Sequence, residues 1–220
     1  MLLYRAAQEG VFGSLTRFER GSIADALFVY LDGTPELKSV EALAAGYLSR
    51  PWVCLTGAWE SLIRNQFPHA RVYMRTLMKP AWWFSFPTQR TLPGNCRLAA
   101  MDEEAFNAHP FGYGANYPFY GAFQAEGSGA VIRRNGEIIA SASSFLSLDG
   151  EVELDVFTAE AYRGMGLATA CAAAMLRDCM ARGITVHWDA QNAASRRLAE
   201  KLGFVTDWEY PVYWVDTQEG

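Results

Sequence analysis

The sequence predicts an α/β fold, and three observations predict it. Strand-like and helix-like segments alternate through the first 80 or so residues. Asn135-Gly136 sits between two apolar runs, a strong hairpin signal. The strand-like run Glu151 to Phe157 passes through a turn bearing Gly164 and Gly166 into an alanine-rich helix ending near Arg182.

Taken in order, Ala26 to Leu31 reads as a strand stopped by Asp32-Gly33. Glu36 to Leu48 has helical spacing, with Leu37, Val40, Leu43, Ala44 and Tyr47 on one face. Trp52 to Leu55 is a short strand, Ala58 to Asn65 a helix and Val72 to Met78 a further strand. Lys79 to Asn95, with Pro80, Pro87, Pro93 and Gly94, reads as a linker. The expected division is therefore an N-terminal α/β lobe over 1–95 and a second domain over 96–220. In the second domain a short helix begins at Met101 to Glu104. Phe111 to Phe123 is aromatic and turn-rich, and either lines a substrate pocket or roofs the core. Gly129 to Arg133 and Glu137 to Ser144 form the hairpin, and Glu151 to Phe157 is the next strand. Ile184 to Trp188 is a short strand. Asn192 to Leu202 is a helix closed by Gly203. Phe204-Val205 and Val212 to Val215 read as a closing hairpin.

Composition narrows the function classes. The chain has 220 residues and a net charge of −5, with a pI near 5.3. Its densest basic pairs, Arg133-Arg134 and Arg196-Arg197, are only two residues each, so no nucleic-acid footprint is expected. Cys54, Cys96, Cys171 and Cys179 form no CxxC pair, and His69, His109 and His187 complete no zinc-ligand spacing with them, so no metal site is expected. No run approaches about 18 apolar residues, and no charged-then-apolar leader is present, so no membrane partner and a cytoplasmic setting are expected.

The richest stretch is Ala161-Tyr162-Arg163-Gly164-Met165-Gly166-Leu167-Ala168. A glycine turn from strand to helix offers main-chain N–H groups at the positive end of a helix, which suits a phosphate or pyrophosphate. Arg163 adds a side-chain cation. Alternation puts Val152, Leu154 and Val156 on one strand face and Glu151, Glu153, Asp155 and Phe157 on the other. Glu153 or Asp155 is thus placed to take a proton from an ammonium group, directly or through water.

Arg163-x-x-Gly166-x-Ala168 matches the acyl-CoA pyrophosphate motif of the GCN5-related N-acetyltransferases (GNAT). The run Asn192 to Phe204, ending in Leu-Gly-Phe, resembles the second block of that family at fitting spacing. The strong resemblance covers about Cys96 to Val215, and its wording from Trp188 onward resembles a bacterial subgroup with an extra N-terminal lobe. It implies a GNAT fold, a mixed central sheet with helices on both faces. Acetyl-CoA would bind where two parallel strands splay, Glu151–Phe157 and Ile184–Trp188. It also implies a donor arm along Val156, Phe157 and Thr158, a pyrophosphate on Arg163 to Ala168 (Gly164, Met165, Gly166 and Leu167 included), and contacts from Asn192 and Ser195. The reaction implied is transfer of an acetyl group to a primary amine, small-molecule or peptide, by direct attack in a ternary complex. The chain departs from the family at Ala199, where many members carry a Tyr that protonates the leaving thiolate. Tyr162, Tyr210, Tyr213 or solvent would then serve, and Tyr213 joins Glu153 and Asp155 in the candidate catalytic set. Three further matters stay open: a non-catalytic acyl-CoA sensor, a longer acyl donor, and homodimerisation.

Overall fold

In the computed structural model, residues 1–81, 92–108 and 116–215 are described. Packing divides the chain into two compact units, Met1–Arg75 with Glu209–Gly220, and Thr76–Trp208. This differs from the expected cut after residue 95. Two long strands, β5 (Arg71–Pro80) and β11 (Phe204–Trp214), each run from one unit into the other, so the first unit takes both ends of the chain. The expected linker core, 82–91, lies outside the described residues.

The first unit opens with helix α1 (Leu2–Gln8), then an antiparallel meander of β1 (Ser14–Arg17), β2 (Gly21–Asp25) and β3 (Val29–Gly33). The apolar run at Ala26 to Leu31 is therefore half turn and half strand, since Ala26 N–H donates to the Phe28 carbonyl and closes the β2–β3 connection. After α2 (Leu37–Gly46), strand β4 (Pro51–Cys54) pairs parallel to β3, as a strand–helix–strand unit requires. Helix α3 (Gly57–Gln66) follows, and the Val212–Trp214 end of β11 pairs antiparallel to β4. Ile23, Val29, Leu31, Leu43, Trp52, Trp59, Ile63 and Tyr213 form the core. The two indole N–H groups are satisfied there, Trp52 by the Tyr47 carbonyl at 2.8 Å and Trp59 by the Asp32 carbonyl at 3.1 Å.

The second unit holds β6 (Cys96–Ala100), α4 (Glu103–Ala108), α5 (Tyr120–Glu126), β7 (Gly129–Arg134), β8 (Glu137–Leu148) and β9 (Glu151–Thr158). It continues with α6 (Leu167–Ala181), β10 (Thr185–Ala190) and α7 (Ala193–Lys201). Strands β6 to β9 are successive antiparallel neighbours, and β10 pairs parallel to β9. The other side of β10 pairs antiparallel to Thr76–Met78 of β5. The expected terminal hairpin is one strand, β11. Its middle, Thr206 to Glu209, is exposed but holds no Gly or Asn to make a tight turn.

Helices cover both faces of this sheet. Leu167, Cys171, Met175 and Cys179 recur every fourth residue and put one stripe of α6 on Ala130, Ala140, Ala142, Val152 and Leu154. Small side chains at Ala172 and Ala173 let the helix approach closely. On the opposite face Phe106, Tyr117 and Phe123 pack on Val131. The described part of the expected aromatic loop therefore roofs the sheet, while 111–115 lie outside the described residues. Arg182 pins α5 in place: its guanidinium donates to the carbonyls of Gln124, Ala125 and Gly127 at the end of that helix. Among the described residues no helix is long and apolar enough to cross a membrane.

Replacing Ala172 by Leu is expected to overpack the α6 contact and lower stability by about 1–3 kcal/mol. Urea unfolding checks this: the midpoint falls while the slope is kept.

Candidate functional site

Strand β9 lies between β8 and β10 only over its first half. Thr185, Val186 and His187 pair with Glu151, Val152 and Glu153, and the parallel pairing ends there. Beyond that point β9 continues to Thr158 bonded to β8, whereas Trp188 to Ala190 of β10 bond to β5. The two parallel strands part at Glu153, opening a fork in the sheet inside the second unit.

At the far end of β9 the chain makes a short 3-10 turn, Glu160–Tyr162, then passes through Arg163 to Gly166 and enters α6. Gly164 has φ +78° and Gly166 φ +80°, the left-handed region that glycine enters at least cost. A Cβ at either position would meet nothing within 4 Å, so the conformation, not crowding inside the protein, calls for glycine, and the turn is bare on its outer side. No acidic residue occupies the first turn of α6, and no side chain caps it. The turn therefore combines two left-handed glycines with the start of α6. Leu167 is buried beneath it in the α6 core, and Arg163 lies outside with Nε donating to the Thr158 carbonyl at 3.4 Å.

Asn192 caps α7, accepting from the N–H groups of Ala194 and Ser195 at 3.0 Å each. Ser195 Oγ accepts from the indole of Trp188 at 3.0 Å, which leaves its own hydroxyl proton to donate. Trp188 is the first residue of β10 past the fork, so this bond ties the start of α7 to the parted strand.

The face of β9 away from α6 carries Glu153 and Asp155. Glu153 is 7% exposed, between Leu146 of β8 and His187 of β10, and is the last paired residue before the fork. Asp155 follows beyond it, half-buried opposite Ser143. His187 Nε2 lies against the Glu151 carboxylate, so those two side chains engage each other. Sequence reasoning missed Ser141 and Ser143. Both are fully buried, and their register partners across β9 are Phe157 and Asp155. On the other side Ser141 is opposite Val131, in the aromatic cluster, so serines, carboxylates and aromatic roof share one face. The alternation Ser141-Ala142-Ser143 inside an otherwise buried strand was the available signal.

Tyr213 belongs to the other unit. It is 1% exposed in that core, and its hydroxyl donates to Glu60 Oε1 at 2.9 Å while the Arg64 guanidinium sits 5.6 Å from its ring centroid. Burial, then Glu60, push its pKa up to about 12, and the Arg64 and Tyr213 hydrogen bonds hold Glu60 below the usual carboxylate range. Its hydroxyl proton is engaged by Glu60 within its own core. Ala199 is completely buried on the core face of α7. Burial pushes the Cys171 thiol up to about 12, which keeps it from acting as a nucleophile. His109 lies outside the described residues. Among those residues no cluster of His, Cys, Asp or Glu could hold a metal ion.

A family model described as GNAT acetyltransferase matches residues 14–213. A Bacillus subtilis relative, an uncharacterized N-acetyltransferase named YdfB, is 28% identical over 165 residues, 71% of this chain; the match spans 62% of the length of that relative. The solved GCN5-related N-acetyltransferase-like protein of Streptococcus suis is similar over 98% of this chain and 93% of its own, with 26% identity and a TM-score of 0.81. A GCN5-related N-acetyltransferase from Kribbella flavida shares the fold at 17% identity and a TM-score of 0.63, over 100% of this chain and 96% of its own.

Two outcomes separate structural from functional roles. Asn192→Ala is expected to cost about 1 kcal/mol of stability without any ligand, as loss of a helix cap does; urea unfolding of the free protein checks it. Burial and Glu60 push the Tyr213 pKa up to about 12 from the ordinary tyrosine value of about 10, so its contribution is whole below about pH 10 and is lost as pH rises toward 12. Tyr213→Phe is expected to flatten that alkaline loss, seen by comparing urea midpoints at about pH 9 and about pH 11.5.

Proposed function

Because the chain belongs to the GNAT acetyltransferase family, we propose that it transfers an acetyl group from acetyl-CoA to a primary amine by direct attack in a ternary complex. The observation that carries this is the fork between β9 and β10, continued by the φ-positive glycine turn. A donor arm runs along Val156 to Thr158, where β10 has turned away. Its diphosphate meets main-chain N–H groups from Gly164 to Ala168, supported by the N-terminus of α6 and by Arg163. Asn192 and Ser195 flank the arm from the start of α7.

The reactive end lies at the fork, beside Glu153. The acceptor arrives on the face that carries Glu153, Asp155, Ser141 and Ser143, where carboxylates favour an ammonium group. Glu153 takes the ammonium proton, directly or through water. The amine lone pair then attacks the thioester carbonyl, the C–N bond forms, the C–S bond breaks, and main-chain N–H groups of β9 hold the developing oxyanion. Glu153 hands its proton on to solvent, one of the two N–H protons of the attacking nitrogen is then lost the same way, and the other stays on the amide product. Sulfur leaves as a thiolate and takes its proton from solvent, since Ala199 offers none and Tyr213 is engaged with Glu60. Cys171, a buried thiol, forms no acyl intermediate.

One observation favours a second reading. Ala199 removes the usual acid, as a non-catalytic acyl-CoA sensor would tolerate. Calorimetric titration with acetyl-CoA followed by thiol release over an amine panel decides between them. Binding with thiol release supports the transferase, binding without release on any amine supports the sensor, and no binding ends both. Titrating longer acyl-CoA donors in parallel reads the chain length the fork accepts.

Gly166→Asp is expected to abolish acetyl-CoA binding, whereas Gly166→Asn, which tolerates the same left-handed backbone, keeps most of it; equal affinities would remove the diphosphate from this turn. Glu153→Gln is expected to lower turnover by about a hundredfold or more and shift its pH profile, with acetyl-CoA affinity within about twofold. Normal turnover would move the base to Asp155.

A further inference from the structure

Resting on the acyl-CoA reading, we propose that Arg134 recognises a phosphomonoester on the same ligand whose diphosphate takes the glycine turn, namely the 3′-phosphate of coenzyme A. Arg134 is the last residue of β7, at the mouth of the Asn135-Gly136 hairpin. Its guanidinium carbon lies 5.6 Å from the centroid of the Tyr162 ring. Tyr162 closes the 3-10 turn that leads into Arg163 and Gly164. The hairpin thus delivers a cation, from a separate element, to the flank of the turn.

The way this cation is held matters. A guanidinium lying over a ring spends its flat face on the π system and keeps its N–H edge for a planar or tetrahedral oxyanion. Among the described residues Arg134 forms no ion pair, although Glu137 is its cross-strand partner. Its neighbour Arg133 behaves differently: it is bound to Asp102 at 2.7 Å and Glu104 at 3.6 Å. Among the described residues the Arg163 side chain bonds the Thr158 carbonyl and forms no ion pair. Two guanidiniums and the uncapped N-terminus of α6 therefore gather around one turn, which carries one acidic side chain, Glu160 of the 3-10 turn. Positive charge so assembled, in excess of that one carboxylate, favours an anion. A ligand with a diphosphate and a separate dianionic phosphate supplies both partners.

The experiment compares coenzyme A with 3′-dephospho-coenzyme A by calorimetric titration. Wild type is expected to bind coenzyme A about tenfold more tightly or better, the scale of a charge-assisted contact. Arg134→Gln is expected to bring the two nucleotides within about twofold while leaving dephospho-coenzyme A affinity unchanged. Arg163→Gln is expected to weaken both nucleotides alike and keep the preference. A preference that survives in Arg134→Gln, or one lost only in Arg163→Gln, overturns the assignment. Equal binding of both nucleotides by wild type overturns it as well while sparing the acyl-CoA reading, whereas binding of neither by wild type ends that reading itself.

Discussion

A strand inside a sheet has main-chain groups on both edges to satisfy, and β9 meets that demand in two ways along its length. Up to Glu153 it is bonded on both sides. Past Glu153 β10 leaves it for β5, and the remaining half of β9 keeps β8 alone as its ladder partner. Such a parting loses main-chain pairing. Its retention is intelligible if something else occupies the wedge. Everything in the candidate site is placed by it: the glycine turn continues the free-running half of β9, Trp188 and Ser195 lie just past the fork on β10 and α7, and Glu153 stands at its apex.

The two faces of the fork have different physics. Toward α6 it is lined by Leu154, Val156 and Trp188, and alanines in the helix allow close packing there. On the other face Ser141, Ser143 and Glu153 are buried and Asp155 half-buried beside an aromatic roof. Buried polar groups of this kind add little to stability and are expensive to leave unsatisfied. The unit carries them next to its most disrupted strand pairing, in the pattern of a site that gives up local stability for chemistry.

Much of this was legible in the sequence, for identifiable reasons. Gly164 and Gly166 mark a left-handed backbone that other residues enter at a cost, and Asn192 followed by helical residues marks a cap, so both were readable from local chemistry. The hairpin at Asn135-Gly136 was legible in the same way, since both residues have positive φ. What was not legible depended on packing. Ala26 to Phe28 is apolar yet lies in a turn. The exposed middle of β11 is extended because the strand links two units. No local signal at Tyr213 reveals that Glu60, 153 residues away in sequence, holds its hydroxyl. Ser141 and Ser143 took on meaning only once register placed them across from Phe157 and Asp155.

The discontinuous first unit has a consequence for biosynthesis. Its core includes Tyr213, and its β4 edge is completed by Val212 to Trp214, which the ribosome adds about 160 residues after Trp52 and Val53. Pairings of such long sequence separation close slowly. The strands and helices of Thr76–Trp208 are contiguous and can collapse first, while the N-terminal strands wait with an open edge. That waiting edge is where a nascent chain of this design is most exposed to mispairing and to chaperone capture.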